Sequence, residues 1–257
     1  MPSAEIPPLR SALRGVAAGL LHLVFPTPCH VCQLPLGRGR HSALCGACWD
    51  ALERLAPAGC HRCGWPFPAA AATSGVERPL CQRCRQTHDR FEAARAVLLY
   101  REGGIARAAI LLCKHGRRLG LLQHLAALLA AEAPEDLMRR VWDAAVPVPL
   151  HWRRRWRRGF NQAEALARAV GRRHGFPVER RCLVRVRATP PQHGDAAARQ
   201  RNVQKAFAVR RPARIAGKRV LLVDDVFTTG ATANACAAAL LAAGAAAVGV
   251  LTLARVE

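Results

Sequence analysis

The chain lacks any apolar run long enough to cross a membrane, and it has few acidic residues. No stretch reaches the roughly 18 uninterrupted apolar residues of a spanning helix, so we predict a protein without a membrane span. Only 17 of the 257 residues are Asp or Glu, against 39 Lys and Arg, which gives a formal net charge of +22. That imbalance favours polyanionic partners such as nucleic acid, phosphorylated metabolites or anionic lipid. The apolar fraction of 51% argues against wholesale disorder.

An apolar segment at residues 16–25 has the charge order of a signal peptide, because Arg10 and Arg14 precede it. His22 interrupts this segment, and no small-residue cleavage site precedes Cys29. We therefore expect residues 1–28 to form an apolar helix that packs on the body of the protein. We also expect the protein to be cytoplasmic.

Eight of the 11 cysteines form four Cys-x-x-Cys pairs, with 12, 11 and 17 residues between successive pairs. The pairs are Cys29 and Cys32, Cys45 and Cys48, Cys60 and Cys63, and Cys81 and Cys84. Two residues between thiolates let both sulfurs bind one ion, and two such pairs complete a tetrahedron. Residues 29–84 are too few to form a core unaided. We therefore predict two structural Zn²⁺ ions in a double zinc ribbon over residues 29–90.

Other uses of these cysteines fit less well. Disulfides need an oxidising compartment, and four thioredoxin-like redox pairs in one short segment would be unusual. An iron–sulfur cluster is a further alternative. We expect a sequential pairing, with one ion bound by Cys29, Cys32, Cys45 and Cys48 and the other by Cys60, Cys63, Cys81 and Cys84. A cross-braced order is the alternative. The three cysteines outside the pairs are predicted to be small core residues: Cys113, Cys182 and Cys236.

Beyond residue 90, short apolar segments alternate with segments of helical periodicity. Strands are predicted at 94–100, 144–150, near 178–186, at 220–223 and at 247–253. Helices are predicted at 104–114, 119–133, from Asn161 to about 174, and up to Gly244. The polar stretch 187–215 is predicted to be a loop. This alternation predicts an α/β fold with a parallel sheet over residues 91–257, which binds ligand at the carboxyl ends of its strands.

The strongest signal in this part lies at residues 219–232. A buried strand leads to Asp224 and Asp225, and then Thr228, Thr229, Gly230, Ala231 and Thr232 begin a helix. Unpaired N–H groups and the helix dipole favour a phosphate there. The segment is neither a Walker loop nor a Gly-x-Gly-x-x-Gly turn. Two adjacent carboxylates would repel a lone anion, so they indicate a ligand with hydroxyls beside its phosphate, or hydrated Mg²⁺. A sugar phosphate fits this arrangement.

This segment resembles the 5-phosphoribosyl-1-pyrophosphate (PRPP) motif of type I phosphoribosyltransferases. The whole chain resembles the ComF family, in which a zinc ribbon precedes a transferase-like domain. The other segments that carry this resemblance are 147–150, 158–162, 114–116, and Gln192 followed by 201–203 and 206–207. After Gln192 the chain departs from the family pattern, with His193, Gly194 and Asp195 in place of Thr-Gly-Leu.

The resemblance implies a type I phosphoribosyltransferase fold that binds PRPP with Mg²⁺. Residues 228–232 would then hold the 5-phosphate. Asp224 and Asp225 would hold the ribose hydroxyls and face the cation-like ribose in any transfer, which makes them the candidate catalytic residues. The pyrophosphate would lie at Pro149, Leu150 and Arg158, and further candidates are Lys114, Arg201 and Asn202. Some members of this fold bind PRPP without transferring it, so transfer and its acceptor stay open.

The densest basic cluster surrounds two tryptophans. It consists of Trp152, Arg153, Arg154, Arg155, Trp156, Arg157 and Arg158. Residues 91–257 hold 29 Lys and Arg against 12 Asp and Glu, or +17. Tryptophan can stack on an exposed base while Arg neutralises the backbone of a single strand. Alternatively, the Arg residues serve only PRPP and the Trp residues pack on the sheet edge.

The ComF resemblance also implies a role in natural competence, the uptake of DNA as a single strand. The expected partners are then PRPP, single-stranded DNA and proteins of the DNA-uptake machinery. The alternative function is a metabolic phosphoribosyltransferase of the nucleotide-salvage type, without a DNA role.

Overall fold

The computed structural model describes residues 28–36, 44–56, 59–67, 79–115, 118–152, 156, 159–187 and 206–257. The chain divides into two compact units, residues 1–51 and 52–257. The first unit holds the first four paired cysteines, and the second holds the other four together with the α/β sheet. The expected N-terminal helix lies outside the described residues, apart from Pro28. The division of the chain after residues 28 and 90 stays a prediction.

The described part of the first unit is a metal-knuckle turn followed by a short helix, α1 (Gly46–Asp50). In the turn, the Cys29 N–H donates to the Leu34 carbonyl at 2.7 Å, and Gln33 adopts a φ of 63°. Cys45 caps α1, because its sulfur accepts a hydrogen bond from the Cys48 N–H at 3.4 Å. The Cys45 N–H likewise donates to the Cys29 sulfur at 3.3 Å, so backbone N–H groups point at two of the cysteine sulfurs.

The second unit is built on a parallel sheet in the order β1-β6-β5-β2. Its strands are β1 (Ala93–Tyr100), β2 (Ala144–Pro147), β5 (Arg219–Phe227) and β6 (Ala247–Val256). A separate antiparallel pair is formed by β3 (Leu183–Arg185) and β4 (Phe207–Val209). The predicted α/β class with a parallel sheet is confirmed. The two central strands are almost continuously apolar because both faces of the sheet are covered.

The second unit also contains six helices within the described residues. They are α2 (Gln82–Gln86), α3 (Ile105–His115), α4 (Leu119–Ala131), α5 (Glu135–Met138), α6 (Gln162–His174) and α7 (Ala231–Ala242). As predicted, Asn161 caps α6, accepting from the Ala163 N–H at 3.2 Å, and the helix ends at Gly175 with a φ of 77°. Helix α4 packs on α6, which packs on β2 and β5. Within the residues described, no helix is long and apolar enough to cross a membrane.

Three predicted boundaries are wrong for identifiable reasons. Strand β2 stops at Pro147, since Pro147 and Pro149 lack the N–H that a continuing ladder needs. Strand β5 runs on to Phe227 because β6 offers it a partner as far as Arg255. The predicted 187–215 loop contains β4, whose residue Phe207 is buried, and a 3₁₀ turn at Pro212–Arg214. The three unpaired cysteines at 113, 182 and 236 are buried, as predicted.

Candidate functional site

A cavity of about 270 Å³ lies at the carboxyl ends of the parallel strands. It is lined from β5 by Asp224 and Asp225, and from the turn after β2 by Pro149 and Leu150. Thr228 and Gly230 line it from the loop after β5, and Thr232 from the first turn of α7. Lys114, at the end of α3, completes this group. The fold therefore brings together most of the predicted PRPP-site residues, although they are up to 118 positions apart in sequence (Lys114 to Thr232).

The two carboxylates differ in their contacts. Asp225 forms an ion pair with Lys114, with 2.9 Å between its Oδ2 and the lysine Nζ, and both side chains are about one fifth exposed. Asp224 instead accepts a hydrogen bond from the Asp225 backbone N–H at 2.8 Å. The site thus holds one carboxylate neutralised by a cation and a second one beside it.

These contacts set the protonation of the site. Burial, followed by the negative charge of Asp225, raises the pKa of Asp224 to about 7. Burial alone would lower the pKa of Lys114, but its contacts with Asp225 outweigh burial and the pKa is raised. Lys114 is therefore charged at neutral pH, whereas Asp224 is poised between its two forms. A cation or a hydroxyl donor in the cavity would favour the ionised form of Asp224.

The loop between β5 and α7 depends on Gly230, which has a φ of 77°. A Cβ at this position would lie 2.7 Å from Cζ of Phe227 and 3.2 Å from Nη2 of Arg83. The loop therefore packs tightly on the Phe227 ring while the first N–H groups of α7 lie at the cavity. The Thr229 hydroxyl accepts a hydrogen bond from the Ala231 N–H at 3.4 Å, which stabilises the conformation of the loop.

Several cavity residues were not singled out from the sequence as ligand-binding groups: Tyr100, Asn161, Arg185 and Thr252. Arg185 is the most informative, because it brings a second positive side chain into the cavity and partly offsets the rise in the pKa of Asp224. Its guanidinium lies 5.4 Å from the Phe207 ring centroid. A lone Arg within the apolar segment 182–186 was the available signal, although it did not indicate which face Arg185 would occupy.

The basic loop is described only in part. Trp152 is 64% exposed and Trp156 is 86% exposed. The neighbouring buried residue His151 lies 5.7 Å from Trp152 between ring centroids. The exposure of both indoles disagrees with packing on the sheet edge. Arg153, Arg154, Arg155, Arg157 and Arg158 lie outside the described residues, as do Arg201 and Asn202.

The paired cysteines gather into two sets of four sulfurs, and within each set all sulfurs lie within 4.8 Å of one another. The first set is Cys29, Cys32, Cys45 and Cys48, and the second is Cys60, Cys63, Cys81 and Cys84. This is the sequential arrangement. Sulfur–sulfur distances of 3.5 Å (Cys32 to Cys45) and 3.7 Å (Cys63 to Cys81) are close to the roughly 3.8 Å edge of a tetrahedral Zn–S₄ site. Both sets therefore fit a structural zinc ion.

Thiols held this close cannot all ionise unless a cation is present. A hydrogen bond from Cys63 lowers the pKa of Cys60 to about 4, whereas burial raises the pKa of Cys84 to about 12. A bound Zn²⁺ would remove this conflict by ionising all four sulfurs of the set.

Comparison with known proteins agrees with this geometry. The family model for the double zinc ribbon domain matches residues 20–85, and the phosphoribosyl transferase domain matches residues 156–257. The DNA utilization protein YhgH of Escherichia coli strain K12 is 35% identical over 237 residues, which cover 91% of this chain and 99% of the relative. The chain belongs to the ComF family. Its fold is accordingly that of a phosphoribosyltransferase, with a zinc ribbon before it.

Two other ComF-family relatives match shorter segments. Competence protein F of Haemophilus influenzae is 36% identical over 115 residues, covering 44% of this chain and 50% of the relative. Competence protein ComFC of Bacillus subtilis is 32% identical over 111 residues, covering 43% of each chain. Among solved structures, an adenine phosphoribosyltransferase from Thermoanaerobacter pseudethanolicus aligns with 54% of this chain and 82% of its own, at 16% identity and a TM-score of 0.34.

Proposed function

We propose that the cavity at the end of the parallel sheet binds PRPP together with Mg²⁺. The observation that carries this proposal is the grouping of two carboxylates, two cationic side chains and a helix N-terminus in one cavity. The loop 228–232 would bind the 5-phosphate through backbone N–H groups. Lys114 and Arg185 would neutralise the pyrophosphate, which would lie near Pro149 and Leu150 with Arg158.

The carboxylates would bind the ribose. Asp224 and Asp225 offer adjacent acceptor oxygens at the end of a buried strand, which suits the two neighbouring ribose hydroxyls. The same oxygens suit Mg²⁺, which is usually held by one or two carboxylates, waters and the oxygens of a phosphorylated ligand. In a transfer reaction these carboxylates would also stabilise the developing positive charge on the sugar.

Calorimetry with PRPP, with and without Mg²⁺, tests this assignment. Replacing Asp224 and Asp225 by Asn removes two charge-assisted acceptors, each contributing about 1.5–3 kcal/mol. The affinity should fall by about a hundredfold or more. The control is Asp136→Asn, which removes a half-exposed carboxylate paired with Arg95 away from the cavity. Unchanged PRPP affinity in the double variant would reject the proposed ribose position. A separate assay with candidate acceptors tests catalysis, because release of pyrophosphate from PRPP would establish transfer.

We further propose that the protein contacts single-stranded DNA and acts in DNA uptake with proteins of the uptake machinery. Two exposed indoles, Trp152 and Trp156, lie in the most basic segment of the chain. Relatives are named for DNA utilization and for competence. Bases stacked on the indoles and phosphates bound by the intervening Arg residues would give affinity that tolerates any sequence.

Titration of a fluorescent oligonucleotide at several salt concentrations tests the DNA contact. Each phosphate contact contributes about −0.7 to the log–log slope. Alanine at Arg153, Arg154, Arg155 and Arg157 should therefore flatten the slope by up to about three. Alanine at Trp152 and Trp156 should lower affinity and leave the slope nearly unchanged.

The control for charge is Arg172→Ala with Arg173→Ala, two exposed residues in the last turn of α6. If the four-Arg variant binds the oligonucleotide with the parent's affinity and salt slope, the basic loop is not the DNA-binding site. PRPP binding with no oligonucleotide binding by the parent would favour the nucleotide-salvage function.

A further inference from the structure

The feature of interest is Arg255, near the end of the central strand β6, whose side chain is only 4% exposed. Its Nη1 donates to the carbonyl of Cys63 at 2.5 Å, and its Nη2 lies 3.7 Å from the Cys63 sulfur. In the part of the chain that is described, no carboxylate pairs with Arg255. A buried guanidinium needs a counter-charge, and the group that faces it here is a sulfur of the second cysteine set.

Metal binding would supply that counter-charge. Four thiolates around one Zn²⁺ have a net charge of −2, whereas without metal the four closely placed thiols cannot all ionise. The guanidinium of Arg255 is therefore suited to neutralise a metal-bound set by hydrogen bonding to one of its sulfurs. Without metal, fewer of the four sulfurs are ionised, so the charge of the buried guanidinium is compensated less well.

The other side of the guanidinium faces Phe227, which precedes the loop 228–232; this loop is called the phosphate loop below, because the proposed function assigns the 5-phosphate to it. Its Cζ lies 4.8 Å from the Phe227 ring centroid and 4.9 Å from that of Trp65, so the cation stacks against two aromatic rings. Phe227 is the last residue of β5, and its ring lies directly under Gly230. Contacts therefore run without a break from the Cys63 sulfur through Arg255 and Phe227 to the loop.

A second contact joins the same two features. Arg83 lies between Cys81 and Cys84, and its Nη2 approaches to 3.2 Å of the place where a Cβ on Gly230 would lie. The Arg83 guanidinium also forms an ion pair with Asp89, with 3.7 Å between Nη2 and Oδ1. Both arginines thus connect the second cysteine set to the loop.

We propose that Arg255 is a positioning residue that couples metal binding at the second cysteine set to the conformation of the phosphate loop. Loss of that metal would displace the guanidinium, release the Phe227 ring and loosen residues 228–232. The consequence for ligand affinity rests on the proposed function, in which this loop binds the 5-phosphate of PRPP. The predicted loosening of the loop does not depend on the proposed function.

The test compares Arg255→Met and Arg255→Lys with the parent. Arg95→Met is the control, because Arg95 binds the carbonyls of His61 and Ala94 and pairs with Asp136. Among the described residues, no hydrogen bond joins Arg95 to a cysteine sulfur. Zinc affinity is measured by competition with a chromogenic chelator, and loop opening is measured by hydrogen exchange of the 228–233 amides. Cobalt-substituted protein reports the thiolate-to-metal absorption bands.

In Arg255→Met, one of the two zinc ions should bind about tenfold or more weakly, and the cobalt bands of that set should shift. Exchange of the loop amides should rise to the level of the chelated parent, and PRPP affinity should fall by a similar factor. Arg255→Lys, which keeps the charge without the planar fork, should be intermediate. The first cysteine set provides an internal reference and should be unchanged.

Parental zinc affinity and parental loop exchange in a folded Arg255→Met protein would overturn the coupling. If Arg255→Met does not fold, the same comparison is made with Arg255→Lys. If the parent fails to bind PRPP, the proposed function fails, while zinc affinity, cobalt absorption and loop exchange still decide the coupling. If Arg95→Met reproduces every effect, the role is general packing and the proposal is wrong.

Discussion

Replacing Asp224 by Asn should make the protein more stable at neutral pH while it weakens ligand binding. In the folded protein, burial and the neighbouring charge of Asp225 raise the pKa of Asp224 from 3.8 to about 7. In the unfolded chain the same carboxyl loses its proton near its ordinary pKa. The folded state therefore holds a proton that the unfolded state has lost, throughout the interval between pH 4 and 7.

The difference between the two pKa values determines the sign and the size of the stability change. Since the folded state binds more protons, the free energy of unfolding falls as pH rises from about 4 to 7. The two pKa values set an upper limit of about 4 kcal/mol. Asp224 borders the open cavity, where water screens its charge, so we expect about 2 kcal/mol. Asn cannot ionise, so the variant avoids the destabilisation that ionised Asp224 causes at neutral pH. Residues that serve binding often lower stability in this way.

Urea denaturation of parent and variant at pH 5 and pH 8 measures the effect. The Asn variant should be more stable by about 2 kcal/mol at pH 8, with a smaller difference at pH 5. Asp225→Asn is the control with the opposite sign, because it removes the partner of Lys114 and should destabilise the protein by about 1 kcal/mol or more. A pH-independent difference, or a less stable Asp224→Asn protein at pH 8, would refute the reasoning.

Three further predictions concern other parts of the molecule. A Cβ at Gly249 would lie 2.4 Å from the Trp142 ring, so Gly249→Ala should cost about 1–3 kcal/mol in urea denaturation, and pairing it with Trp142→Leu should recover part of that loss. Gly230→Ala should destabilise the protein by about 1–2 kcal/mol and lower PRPP affinity in calorimetry, because its φ of 77° and the Phe227 ring leave no room for a methyl group. Elemental analysis should find two zinc ions per chain, and a purified protein that contains iron or no metal would contradict the assignment of both cysteine sets.

The two cysteine sets and the loop 228–232 could be recognised from the sequence because their geometry is local. Two residues between cysteines are enough to point both sulfurs at one ion. A strand that ends in a Thr-Gly turn before a helix presents unpaired backbone N–H groups from consecutive residues. Asn161 and Gly175 could likewise be assigned to the ends of α6, since caps depend on a few neighbouring residues.

The contacts between these local features depend on the tertiary structure. Lys114 meets Asp225 across 111 positions, and Arg255 meets Cys63 across 192. Both contacts depend on the strand order, in which the last strand, β6, lies between β1 and β5. Periodicity identifies strands but does not specify which strands are neighbours. Many different strand orders would bury the same apolar residues. The residue types of each local site are therefore readable from the sequence, whereas the packing of β6 places one buried arginine between the second cysteine set and Phe227, next to the loop 228–232.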